Sequence, residues 1–126
     1  MSSDAIVVDP KQRAEILQYL SLEEKQLFSI LGAYAKEGSL FSPEGQAEAG
    51  KHFFESIRRR LVELVCDQWS ACKKMKDPRF DDTVTLVSTL GDVVASIAVG
   101  VPPLTIAVLI TKIGVRTLCS CESESN

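Results

Sequence analysis

Little in this sequence is of the kind that does chemistry. It holds one histidine in 126 residues, and no Gly-rich phosphate loop, His-Glu-x-x-His or Gly-x-Ser-x-Gly motif. Aromatic residues make up 6% of the chain, with only seven glycines and five prolines, which argues against a small β-sandwich. Basic residues are outnumbered, 14 against 17 acidic ones, and the net charge of -3 gives no bulk attraction for nucleic acid. The opening residues, MSSDAIVVDPKQ, lack the basic start and apolar run of a secretory signal. The four cysteines (Cys66, Cys72, Cys119 and Cys121) show no disulfide-framework spacing. They read as free thiols in a reducing, cytoplasmic compartment.

What the chain has in quantity is apolar surface at one end. Hydrophobic residues reach 45% and the mean hydropathy is +0.09, with the excess in the last third. Residues 83–118 read TVTLVSTLGDVVASIAVGVPPLTIAVLITKIGVRTL, and from Val93 to Thr111 no residue is charged. A chain of this size, one domain by length, must cover that surface with its own core, another subunit or lipid.

The rest reads as helices. Residues 1–8 are a frayed or extended lead in which Ile6, Val7 and Val8 pair or tether. Asp9-Pro10 is a cap followed by a first-turn proline, and opens a helix to about Leu20 with Ala14, Leu17 and Leu20 on one face. Ser21 and Glu24 have capping-box spacing, opening a second helix to about Glu37 with Leu27, Ile30, Leu31 and Tyr34 inward. Gly38 suits a left-handed helix end, and a loop follows over residues 39–41. Ser42-Pro43-Glu44 repeats the start signal for a third helix to about Met75, although Gly45 and Gly50 weaken its first turns. Its stripe is Phe54, Ile57, Leu61, Leu64, Val65 and Trp69, on a rod of roughly 45 Å. Lys73, Lys74 and Lys76 suit its C-terminal end, and Pro78 stops it. Asp81 or Asp82 caps a fourth helix through Val99. Gly100-Val101-Pro102-Pro103 then breaks the chain before a fifth helix to about Leu118. The tail, residues 120–126, is polar and acidic and is expected to be disordered.

Three readings of the apolar hairpin compete. It is a core or self-association element of a soluble protein. Alternatively it enters a membrane, either as a single span over residues 93–111 or as a re-entrant hairpin, with Asp92 awkwardly placed. In the third reading it is a face that docks a different protein, where the small-residue pairs Gly91/Ala95 and Ser96/Gly100 allow close helix approach. Two short helices, each below the roughly 20 apolar residues of a membrane span, favour the first.

Other candidate chemistry has a plainer explanation. His52 and Cys66 lie about 21 Å apart along one helix, too far for a nucleophile pair. Cys119 and Cys121 are two thiols without further ligands, a poor zinc site, although beside an apolar segment they suit palmitoylation. Arg58, Arg59 and Arg60 fan around about 200° of a helix, so with Lys73, Lys74 and Lys76 they make no single phosphate-binding face. Glu23, Glu24, Asp81 and Asp82 stand at helix starts, where acids cap.

The ending, an apolar helix over residues 92–100, the break Val101-Pro102-Pro103-Leu104, and a second helix running through Lys112 to Cys119, resembles the small companion proteins of bacterial multi-component defence systems. The resemblance covers about a quarter of the chain and implies an accessory or adaptor role, or a membrane-disrupting effector; it supplies no site residues.

The expected fold is all-α with about five helices: a helical region over residues 1–80 with a long third helix, and an apolar hairpin over residues 81–119 packed on it. The expected function is a non-enzymatic interaction or adaptor module that self-associates or docks a partner protein through Gly91, Val94, Ala95, Ile97, Gly100, Leu104 and Val108. No catalytic residue, cofactor, metal, nucleic acid or small-molecule substrate is expected. The alternatives are a membrane-inserting or membrane-anchored effector that uses residues 84–118, which would associate the protein with a membrane, and an enzyme without a recognisable motif.

Overall fold

The computed structural model describes residues 8–34 and 43–121. Its α-helices are α1 (Pro10–Leu20), α2 (Glu24–Tyr34), α3 (Pro43–Leu61), α4 (Ala71–Lys74), α5 (Thr83–Val94), α6 (Pro103–Ile113) and α7 (Val115–Cys119). A π-helical segment, Val62–Gln68, continues α3, and short 3-10 turns lie at Pro78–Asp81 and Ala95–Ile97. The fold is all-α, with seven α-helices among the described residues where about five were expected. Ile6 and Val7, the Gly38 helix end, the loop at 39–41, Ser42 and the tail beyond Cys121 lie outside the described residues.

The additional helices arise where two expected rods break. The third helix does not run to Met75. It widens at Val62, where the Trp69 N–H reaches back five residues to the Leu64 carbonyl at 2.9 Å, and stops at Ser70, which is left-handed at φ 60°. The last helix stops at Gly114, whose φ of +107° is a conformation that L side chains rarely adopt, and restarts as α7. The fourth ends at Val94, followed by one 3-10 turn rather than helix through Val99.

Capping fixes most of the starts. Asp9 accepts from the Lys11 and Gln12 amides at 3.1 and 3.3 Å, as expected of an N-cap. Asp82 accepts from the Thr85 amide at 3.1 Å and the Thr85 hydroxyl at 2.6 Å, opening α5. The Ser21/Glu24 capping box does not form. Ser21 closes α1, its hydroxyl donating to the Gln18 carbonyl at 2.6 Å. Instead Glu23 donates its amide to Gln26 Oε1 at 2.8 Å, and its carbonyl takes the first helical bond from Leu27. The return half of a capping box therefore sits two residues later than its sequence signature.

The core is built around α6. Thr105, Ile106, Ala107, Val108, Leu109 and Ile110 are buried in succession, and at 3.6 residues per turn six neighbours cover the whole circumference. Helices α1, α2, α5 and α7 all pack against α6. From α5 come Val84, Leu86, Val87, Leu90 and Val94. The α3 stripe places Phe54, Ile57, Leu61 and Val65 in the core, with Leu64 and Trp69 half-buried. In α1 only Ile16 is buried; Ala14 and Leu17 are exposed, so the expected inward face is rotated. In α2, Tyr34 is exposed and Phe28 takes a core position, edge-on to Phe54 at 5.9 Å between ring centroids.

The closest helix pair is α2 against α3, which meet backbone to backbone at Gly32 and Gly50. A Cβ on Gly32 would collide with the Gln46 carbonyl, and one on Gly50 with the Phe28 carbonyl. Gly50 is thus a contact requirement and not a weakness of α3.

All four cysteines are paired. Cys66 of the π-helical segment bonds Cys119 at the end of α7, across 53 residues, and Cys72 of α4 bonds Cys121, across 49. The free-thiol expectation is corrected, and the reducing-compartment argument that rested on it goes too.

Gly50→Ala is expected to lower stability by at least about 2 kcal/mol, because the obstacle is backbone and cannot rotate away. A urea midpoint equal to that of the parent chain would show that the helices do not touch there. For Asp82, the Thr85 hydrogen bonds, side chain first, hold the carboxyl below its ordinary value of 3.8, with the nearby Arg13 adding to the effect. A depressed folded-state pKa stabilises above the unfolded value and loses its contribution as pH falls through the folded one. Asp82→Ala should therefore cost about 1 kcal/mol at neutral pH, and the gap from the parent should close below about pH 3.8. A pH-independent gap in denaturant melts would refute the cap's electrostatic share.

Candidate interaction face

The sequence-derived interaction residues separate into two groups. Val94 and Val108 are fully buried and Ile97 is 5% exposed, all three inside the chain's own core. Gly91 is also buried, its Cα side against Leu104, whose Cδ2 would lie 3.0 Å from an added Cβ. Leu104 is half-buried; Ala95 and Gly100 are exposed. Four of the seven are thus covered by this chain, and what faces outward is the hairpin's outer edge.

That edge has a shape. Gln12 and Ser88 meet across α1 and α5, the Ser88 hydroxyl lying 2.8 Å from Gln12 Oε1. With Gly91, Asp92, Ala95, Pro103 and Leu104 they line a groove of about 220 Å³. Gly91, which has no side chain, and Ala95, with a single methyl, leave the space open; a Cβ on Gly91 would meet Leu104. Asp92, exposed and uncharged-neighbour-rich in sequence, supplies a charge at the rim. Beyond the groove the chain turns through Val99 and Gly100, the latter at φ +79°. Val99 is 80% exposed, the most exposed of the large hydrophobic residues among the described ones.

Immediately behind this edge lies Thr105, fully buried, whose hydroxyl has no hydrogen-bond partner among the described residues. It does not line the groove. A larger cleft of about 410 Å³ lies between α2 and α3, with Phe28 and Ala47 beneath Glu24, Lys25, Glu44, Glu48 and Lys51. Its charges are mixed, with no convergent polar group below the rim.

The other sequence candidates are structural or solvated. His52 is exposed, with Glu48, Lys51 and Glu55 as shallow neighbours. Among the described residues no group of histidine, cysteine or acidic side chains is arranged to hold a metal. Arg58 pairs with Glu55 at 3.4 Å, and Arg59 and Arg60 are exposed. Lys74 lies 4.9 Å over the Trp69 ring and donates to the Trp69 carbonyl at 3.1 Å. Arg79 binds Asp77 at 2.6 Å. The Cys119/Cys121 pair, read as palmitoylation acceptors or soft-metal ligands, is committed to disulfides.

The single membrane span over residues 93–111 does not form, because the chain leaves helix after Ile97 and re-enters it at Pro103. Among the described residues no helix is long and apolar enough to cross a membrane. Sequence reading missed the Gly32/Gly50 contact and both disulfides. The even cysteine count, split into two pairs about 50 residues apart, was the available signal for the latter. No protein-family model, curated protein or solved structure matches the chain.

Thr105→Val, nearly isosteric, removes an unpaired buried hydroxyl and is expected to raise stability by about 1 kcal/mol. A lower melting temperature would mean that the hydroxyl has a partner in solution.

Proposed function

We propose that the chain is a non-enzymatic helical interaction module that self-associates or docks a partner protein through the outer edge of its C-terminal hairpin. The observation that carries this reading is Val99, 80% exposed in the turn that joins Ala95 to Pro103, two residues lining the Gly91–Ala95–Leu104 groove. An isolated exposed valine is ordinary, but one in the turn between two groove-lining stretches offers a knob close in the chain to a hole. A second copy of the chain, which presents the same knob and hole, is the first occupant to test, since a two-fold interface is self-complementary. An adaptor or accessory role is also what the resemblance to companion proteins of bacterial defence systems implies. The net charge of -3 supports a protein partner over nucleic acid. A cytoplasmic setting belongs to the same reading, although the cysteines no longer argue for it.

Size-exclusion chromatography with light scattering, without detergent, tests the reading. The parent chain should exceed its 13.8 kDa monomer mass. Val99→Asp should return it to monomer at least about tenfold more readily on dilution, with melting unchanged, because the site is a surface one. A parent chain that stays monomeric at every concentration, and loses no partner on Val99→Asp, would overturn it.

A further inference from the structure

The two disulfides join the same two short pieces of chain. Cys66 and Cys72 flank the junction of the π-helical segment with α4, while Cys119 and Cys121 flank the end of α7. The two non-glycine residues with positive φ among the described residues lie inside these pairs: Ser70, at 60°, between Cys66 and Cys72, and Ser120, at 52°, between Cys119 and Cys121. Serine gains nothing from the left-handed region that glycine would not gain more cheaply, so each conformation is imposed from outside. At Ser120 the imposed geometry is a helix-ending reversal, in which the Cys121 amide donates to the Arg116 carbonyl at 2.9 Å and the chain turns back toward Cys72.

What the bridges hold is a five-residue helix. α7 is too short to persist on its own and joins α6 only through Gly114 at φ +107°. It packs on α4, the π-helical segment and α6, burying Val115 and Leu118. Besides the sulfurs, a polar side-chain tie at this seam among the described residues is Arg116, which donates to the Met75 carbonyl at 3.2 Å on the exposed surface. All four cysteines are half-buried, so none is sealed from an external thiolate.

We propose that Cys66–Cys119 and Cys72–Cys121 form a redox latch that an external dithiol opens nearly in one step, releasing α7 from the π-helical segment and α4. In each exchange a dithiol thiolate attacks one sulfur of a bridge and expels the other as thiolate. The dithiol's second sulfur then displaces the remaining protein sulfur. The dithiol ends as a disulfide, and the two protein sulfurs end as thiols carrying two electrons and two protons more than before. Four electrons and four protons open both bridges.

Near-concerted opening follows from ring size. With one bridge closed, the other closes a ring of only about ten residues, the 66–72 and 119–121 segments, whereas the last bridge must close one of about 50. The smaller ring re-forms about tenfold more readily, so the first bridge is about tenfold harder to keep open than the second. Opening bares the sides of the π-helical segment and α4 that α7 covers, the elements holding the buried Val65 and Ala71. The latch depends on this seam alone and is independent of the hairpin-edge reading.

The full chain is equilibrated with dithiothreitol at graded reduced-to-oxidised ratios, quenched with an alkylating agent and weighed. The two-thiol species should stay below about a quarter of the total at the midpoint, against about a half for independent bridges. Hydrogen exchange in the reduced form should accelerate at least about tenfold over residues 115–121, while α2 and α3 keep their protection. Four alkylated cysteines before any reductant is added, a two-thiol species at a half or more, unchanged exchange in α7, or loss of protection in α2 and α3 would each overturn the latch.

Discussion

Everything else in this fold depends on the need to cover α6 on every side. A helix with one apolar stripe can lie on a surface, but one with six consecutive buried residues must be a centre. Its neighbours are then obliged to supply apolar faces from several directions, and α1, α2, α5 and α7 each do so. That obligation explains why α1 buries only Ile16: it closes one gap over α6 and α5 and leaves the rest of its surface to water. It also explains the glycine contact between α2 and α3. With α2 already pressed against α6, α3 reaches the core through Phe54, Ile57 and Leu61 only by lying in backbone contact with α2.

The cross-linked end solves a different problem. α7 closes the last side of α6 but has too few residues to hold itself there. Val115 and Leu118, at about 1.5–3 kcal/mol each when fully buried, fall short of the cost of ordering some seven residues at about 1–2 kcal/mol apiece. A bridge spanning about 50 residues contributes about 4 kcal/mol in the chain-entropy account. The covalent ties therefore decide whether α7 belongs to the domain, and the two left-handed serines are the local distortion that accompanies them.

Much of this was legible from residue order. Capping at Asp9 and Asp82, the Pro102-Pro103 break and the Phe54, Ile57, Leu61 and Val65 stripe are local signals, and the structure follows them. What was not legible was what depends on the partner across space. Gly50 looks like a poor helix residue until Phe28 is known to lie against it. Ser21 and Glu24 carry capping-box spacing, but Ser21 is drawn into the end of α1, and Gln26 caps Glu23 instead. The disulfides join residues 53 and 49 apart, and no local spacing announces such a pairing. The interaction face was half visible: the hairpin was identified, but which side of it the chain would keep for itself depends on α1, α2 and α7.

That division limits what the hairpin can do outside the molecule. Burying Ile106, Val108, Leu109 and Ile110 is worth about 1.5–3 kcal/mol for each side chain, and the α5 residues opposite them add as much again. Turning those faces toward lipid or a partner would uncover the matching faces of α1 and α2, at a cost comparable to the 5–15 kcal/mol that holds a typical domain folded. Insertion of the hairpin would thus amount to unfolding the domain, with the disulfide between Cys66 and Cys119 still tying its end to α3's extension. Contact through Ala95, Val99 and Leu104 uncovers nothing, because those atoms already face water in whole or in part. The outer edge is for that reason the part of the hairpin available for binding at no expense to the fold.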